Sequence, residues 1–235
     1  MAFSPSARAG QPAVVVSSRI NGLYAGLGCR QGPEPVLSMV AGHFAAEPDA
    51  LPIDAGDLLG ASAVARLAVE RDADALALAI AATGLRAAGM GHRDLSAHRS
   101  TLLRFLKALR AQGIRHVVSN LECDADHRPL CDQVEDASDP PLLLETPGGK
   151  VALLVFVAPE LLEDLPPDRA EGLTLIPLED AVPLEIARAR AAGAVRLVLV
   201  VDPPPGGELA AAVQASSRAG DEDLVVAREL PEPVV

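Results

Sequence analysis

Aromatic residues are scarce: four Phe, one Tyr and no Trp make up 2% of the 235 residues. Pockets that hold a nucleobase or a sugar ring commonly stack it on aromatic side chains, so this composition argues against a well-equipped nucleotide or glycan site. Basic residues are also in deficit. Twenty Lys plus Arg stand against 32 Asp plus Glu, a net charge of -12, which repels a phosphate backbone and makes nucleic acid and anionic membrane poor partners. No apolar stretch reaches the roughly 20 residues of a membrane span, and the best run, Val195 to Val201, is interrupted by Arg196. The N-terminal residues before Ala13 contain no apolar run of signal-peptide length, so a cytoplasmic location is expected from the chain as it stands. Cysteines are few and odd in number: Cys29, Cys123 and Cys131 include no Cys-x-x-Cys pair. Free thiols in a reducing compartment are therefore expected, rather than a disulfide framework or a zinc knuckle.

What is present is ordinary globular material, 49% hydrophobic and 22% charged, long enough for one full core. Short Val, Leu and Ile runs alternate with helical patterns, the signature of βα units. Strands are predicted at Ala13 to Ser17, Ala50 to Asp54, Arg86 to Met90, His116 to Ser119, Leu142 to Thr146, Val151 to Val157, Leu173 to Ile176, Val195 to Val201 and Asp223 to Val226. Helices are predicted at Glu34 to Ala46, Ala61 to Thr83 with a break near Arg71 to Asp74, Ser96 to Ala111, Leu178 to Ala192 and Glu208 to Ala219. Ser96 is the expected N-cap of its helix, and Gly113 follows the helix end. Pro147-Gly148-Gly149 between two apolar runs reads as a β-hairpin. The acidic stretch Asp124 to Pro141 reads as a long surface loop. Residues 1–12 read as a linker, 13–230 as the domain and 231–235 as a tail.

The most informative segment is Leu51-Pro-Ile-Asp54-Ala-Gly-Asp57-Leu-Leu-Gly60, a strand entering a tight turn with two carboxylates at its carboxyl end. Ligands bind at that end of strands in α/β proteins. An Asp held by such a turn serves either as a helix N-cap or as a hard ligand for a divalent metal. A second segment, Gly89-Met-Gly-His92-Arg93-Asp94-Leu95, precedes a helix and then Ser119-Asn120-Leu121. Weaker candidates are Glu122, Cys123, Asp124, Asp126 and His127, which could collect a metal but read more simply as a flexible acidic loop. His98, Arg99, Arg104, Lys107 and Arg110 form a basic stripe that reads as a solvated helix face.

In this order the segments resemble the metallophosphatase domain of the 5'-nucleotidase family, within the calcineurin-like phosphoesterases, over nearly the whole chain. Asp-Ala-Gly-Asp is intact at 54–57; the family's Asp-x-His-Gly corresponds to Arg19-Ile20-Asn21-Gly22, and its Gly-Asn-His-Glu to Gly91-His92-Arg93-Asp94. The resemblance implies an α/β, four-layer α-β-β-α metallophosphatase-like sandwich. It also implies a centre in which two cations activate water and clamp phosphoryl oxygens, a second substrate domain that supplies aromatic stacking, and export, so that the location becomes periplasmic if the true N-terminus lies upstream.

The ligand chemistry departs from the family. All five histidines lie in the first 127 residues, and where the family has Ser-His the chain reads Val201-Asp202-Pro203. Of the expected ligands only Asp57 is unchanged, with His92 as a substitute and Asn21 assisting. Arg19 in place of a metal carboxylate would oppose cation binding by roughly several kcal/mol at low dielectric. A variant branch carrying Asn-x-Asn-Gly and Cys-Gly-Cys-Arg segments is similar at Ile20-Asn21-Gly22 and Gly28-Cys29-Arg30, where Cys29 reads either as a reactive thiol favoured by nearby Arg or as a structural cysteine. The expectation is a degenerate domain without dinuclear phosphoesterase activity that binds a small molecule or a protein, holding no cofactor or one divalent metal ion. The alternatives are a single-metal phosphoester hydrolase using Asp57, His92 and Asn21, or a thiol-linked redox protein using Cys29.

Overall fold

The computed structural model describes residues 13–17, 20, 36–59, 63–126, 128–202 and 224–227. Among them the chain runs β1 (Val14–Ser17), α1 (Val36–Ala46), β2 (Leu51–Asp54), α2 (Ala63–Ala81), β3 (Ala87–Gly89), α3 (His92–Leu95), α4 (Arg99–Ala111) and β4 (Arg115–Val117). It continues through β5 (Leu121–Cys123), α5 (Arg128–Cys131), β6 (Val134–Glu135), β7 (Leu142–Thr146), β8 (Gly149–Val157), α6 (Glu160–Glu163), α7 (Pro167–Ala170), β9 (Leu173–Leu175), α8 (Leu178–Ala191), β10 (Ala194–Asp202) and β11 (Leu224–Ala227). The helix expected at Glu208 to Ala219 lies outside the described residues, as do the N-terminal linker and the tail.

Strand alternation decides the layering, because successive side chains leave a strand on opposite faces. In β8, Val151, Leu153 and Val155 join Val198 and Val200 of β10 in one apolar layer with Val14, Val16, Leu51, Ile53, Ala87 and Val117 of the other sheet. The intervening Ala152, Leu154 and Phe156, with Leu197, Leu199 and Val201, face the opposite way into the helix-covered core. Two sheets thus pack face to face with helices outside. The first has the order β1-β2-β3-β4-β6, parallel throughout. The second has the order β11-β10-β8-β7, with only the β7–β8 hairpin antiparallel. The four-layer α/β sandwich expected from the sequence is the observed fold.

Several local expectations hold. The hairpin closes with Thr146 opposite Gly149, and Gly149 takes φ 115°, a conformation that suits glycine. The helix α2 is broken at Asp72, whose φ/ψ of -160°/86° is not helical; its Oδ1 accepts a bond from Ala75 N at 2.9 Å, so Asp72 caps the second half.

Other expectations fail. Ser96 does not cap α4; it closes α3, and its Oγ donates to Arg93 O at 2.6 Å, leaving His98 at the N-cap. The basic stripe, by contrast, is a solvated face as expected at the exposed Arg104, Lys107 and Arg110, although Arg104 also donates to Glu70 O, Arg110 to Asp132 O, and the half-buried Arg99 to the carbonyls of Arg169 and Glu171.

The segment 124–141 is not a plain surface loop either. It contains α5 and β6, and Arg128 within it pairs with both Asp132 and Asp136. Arg188 of α8 donates to the carbonyls of Ala137 and Asp139.

The largest correction concerns the thiols. Cys123 and Cys131 form a disulfide across a sequence separation of 8, so these two are not free, and Cys123 is removed as a metal ligand. The link ties the end of β5 to α5 and fastens the acidic segment at its start. Closing a loop this short is worth about 2–3 kcal/mol on the chain-entropy scale. Oxidised protein is therefore expected to unfold at a higher urea concentration than protein treated with dithiothreitol, and equal midpoints would show that the link carries no stability.

Candidate functional site

The site forms where β2 and β3 of one sheet and β10 of the other end. The loop after β2 is shaped by Asp54, whose Oδ1 accepts from Gly56 N at 2.8 Å and whose Oδ2 accepts from Ser17 Oγ at 2.7 Å. Two successive residues then take positive φ, Gly56 at 114° and Asp57 at 59°. Glycine adopts such angles freely, and Asp is among the few other residues that tolerate the left-handed region. This turn sets where the Asp57 carboxylate stands. It is 3% exposed.

After β3, the chain passes Gly91 into the short turn of α3, which begins at His92. Asp94 in that turn is buried, with Oδ1 accepting from Leu59 N at 2.9 Å and Oδ2 from Gly91 N at 3.2 Å. The third contribution comes from Asp202 at the last position of β10, itself 2% exposed. Its Oδ2 accepts from His92 N at 3.2 Å and lies 3.1 Å from His92 Nδ1.

Asp57, His92 and Asp202 each offer a ligand atom within 4.8 Å of the others. Two carboxylates and an imidazole are a donor set that suits a divalent cation with bonds of about 2.0–2.2 Å. Both aspartates are almost wholly buried while His92 keeps 18% of its side chain exposed. The cluster is therefore not one of exposed surface acids.

Of the residues singled out in the sequence, Asp57 and His92 are brought together, and Asp94 bonds the backbone next to each, at Leu59 N and Gly91 N. Arg93 is half-buried on the same turn. Arg19, Asn21 and Cys29 lie outside the described residues. Asn120 is structural: its amide donates to the carbonyls of Val157 and Ile176 and accepts from Val157 N, fixing the end of β4 to β8 and β9. Asp202 went unrecognised as a ligand, although it ends a strand and stands where the family has Ser-His; the rule that sites gather at strand carboxyl ends was the available signal.

No family model matches the chain, and no curated protein matches it. Solved structures do. A candidate 5'-nucleotidase from Staphylococcus aureus, in complex with alpha-ketoglutarate, superposes with a TM-score of 0.68 at 14% identity, covering 92% of this chain and 45% of that one. The calcineurin-like phosphoesterase YfkN from Bacillus subtilis gives 0.60 at 16% identity over 90% of this chain and 70% of its own. A 5'-nucleotidase precursor from Thermus thermophilus gives 0.59 at 16% identity over 80% and 36%. The fold is that of a metallophosphatase-like domain, as 5'-nucleotidases and calcineurin-like phosphoesterases have it. The chain spans less than half the length of the two 5'-nucleotidase structures.

Proposed function

We propose that residues 13–230 form a metallophosphatase-like domain whose centre is reduced to a single divalent-cation site, held by Asp57, His92 and Asp202. It binds a small oxyanion ligand or a protein carboxylate at that ion rather than carrying out two-metal phosphoester hydrolysis. The observation that supports this reading is the convergence of the three ligand atoms within 4.8 Å. Two-metal hydrolysis needs two cations about 3.5–4 Å apart, and three donors on the described residues suit one ion. A bound cation would supply Lewis-acid polarisation of a coordinated oxygen. The protein's part is to fix the ion: the Asp57 turn and the β10 end set the carboxylates, and Asp202 orients the His92 ring.

A second reading, a single-metal phosphomonoesterase, draws on the same donors and on the company the fold keeps. Titration with Mn²⁺ or Zn²⁺ beside a p-nitrophenyl phosphate assay tests both. A stoichiometry of one with no turnover is expected, and binding at least 100-fold weaker in Asp57→Ala and Asp202→Ala. Two ions per chain would sink the single-site reading, no binding would sink the metal site, and turnover lost in Asp57→Ala would establish the hydrolase. The disulfide between Cys123 and Cys131 favours an oxidising compartment over the cytoplasm, which agrees with the exported habit that the family resemblance implies.

A further inference from the structure

We infer that Asp94 is the positioning residue of the cation site, a carboxylate latch that holds the Asp57 and His92 loops at the span one ion requires. The inference rests on the single-cation reading above and deepens it. Asp94 is outside the group of three ligand atoms, and its two oxygens accept from Leu59 N and Gly91 N, at 2.9 and 3.2 Å. Leu59 stands two residues past Asp57, and Gly91 immediately precedes His92. One buried side chain, 3% exposed, therefore bonds the exit of one ligand loop and the entry of the other.

The residue type follows from the donors. Both partners are N–H groups, so both side-chain oxygens must accept, which a carboxylate does and a carboxamide cannot. In Asp94→Asn the amide nitrogen faces one of the two N–H groups, leaving a buried donor without its acceptor while shape is preserved. His92 is also bonded through its own N–H to Asp202. The short turn 91–94 thus ties together all three ligand-bearing segments, with Asp94 supplying the tie to Asp57.

The test uses the full chain and Mn²⁺ as the probe, with free ion followed by electron paramagnetic resonance. Asp94→Asn is expected to bind Mn²⁺ about 10–100-fold more weakly, the range typical for residues that orient ligands, with an unchanged circular dichroism spectrum. Hydrogen exchange should speed up at Leu59 and Gly91 in the variant. Because the variant's folding could suffer, the wild type carries an independent readout: saturating Mn²⁺ should slow exchange at the Leu59 and Gly91 amides together. An Asp94→Asn affinity within twofold of wild type, or wild-type amides indifferent to Mn²⁺ that does bind, would overturn the latch. Absence of Mn²⁺ binding by the wild type would instead overturn the cation site, and the latch with it.

Discussion

Gly89→Ala is expected to lower the unfolding free energy by about 3 kcal/mol, the upper part of the range for forced overpacking. A Cβ at Gly89 would stand 2.7 Å from Ala55 O, 3.1 Å from Ala55 C and 3.1 Å from Val155 Cγ1. The first two are backbone atoms of the turn that carries Asp57, and the third belongs to a side chain fully buried between the sheets. None is the free end of a flexible chain, so the strain cannot be relieved by a rotamer change. It must pass into the backbone, either by pushing the 54–57 turn outward or by separating β3 from β8. The contrast is Gly42 on α1, where an added Cβ meets nothing within 4 Å; there alanine should be neutral or stabilise by up to about 1 kcal/mol through its helix propensity. Urea unfolding of both variants decides the matter. A loss below about 1 kcal/mol for Gly89→Ala, the floor of that overpacking range, would mean that the turn gives way, in which case Mn²⁺ affinity should carry the damage instead.

The same close approach shows why part of the molecule could be read from its sequence. β8 and β10 are nine residues each, long enough for apolar runs to stand out, and Pro147-Gly148-Gly149 marks the hairpin by local turn chemistry. The break in α2 was legible because Arg-Asp-Ala-Asp interrupts an Ala/Leu pattern. The ribbon of β5 and β9 was not fully legible: each strand is three residues long, too short to show a period, and Leu121 finds Leu175 only through tertiary packing. The disulfide escaped for a related reason. Spacing excluded a zinc motif but said nothing about whether Cys123 and Cys131 meet, which depends on β5 turning back toward α5.

The site divides in the same way. Asp57 announces itself through Asp-Ala-Gly-Asp, because the turn demands particular residues. His92 was recognisable only as a substitute, and Asp202 depends on where the second sheet ends against the first. Local chemistry writes itself into sequence; convergence between two sheets does not. Asp94 lies between these cases, visible as an acid beside His92 while its bond to Leu59 N is a fact of the folded chain.

Acid should destabilise the protein through His116, a residue the cation site does not use. The imidazole lies on β4, 2% exposed, with its ring 6.4 Å from Phe105 in an edge-on arrangement. Neither ring nitrogen has a hydrogen-bond partner among the described residues. Burial therefore disfavours the charged form and pushes the His116 pKa down from 6.5 to about 4. In the unfolded chain the group returns to its ordinary value. The stability associated with a neutral His116 is fully present above about pH 6.5, and is lost as the pH falls toward 4, because the unfolded state takes up a proton that the folded state refuses. A gap of about 2.5 units at 1.36 kcal/mol each is a loss of about 3 kcal/mol across that window. Carboxyl groups titrate nearby in pH, and Glu185, raised chiefly by burial and pulled back by Arg188, contributes with the opposite sign. The clean quantity is therefore the difference between wild type and His116→Leu, in which every other group cancels. Urea unfolding at half-unit steps from about pH 7.5 to 4 should show the two proteins diverging below about pH 6.5, with wild type losing about 3 kcal/mol more than the variant. Parallel curves over that range would mean that His116 reaches water or a partner before it charges.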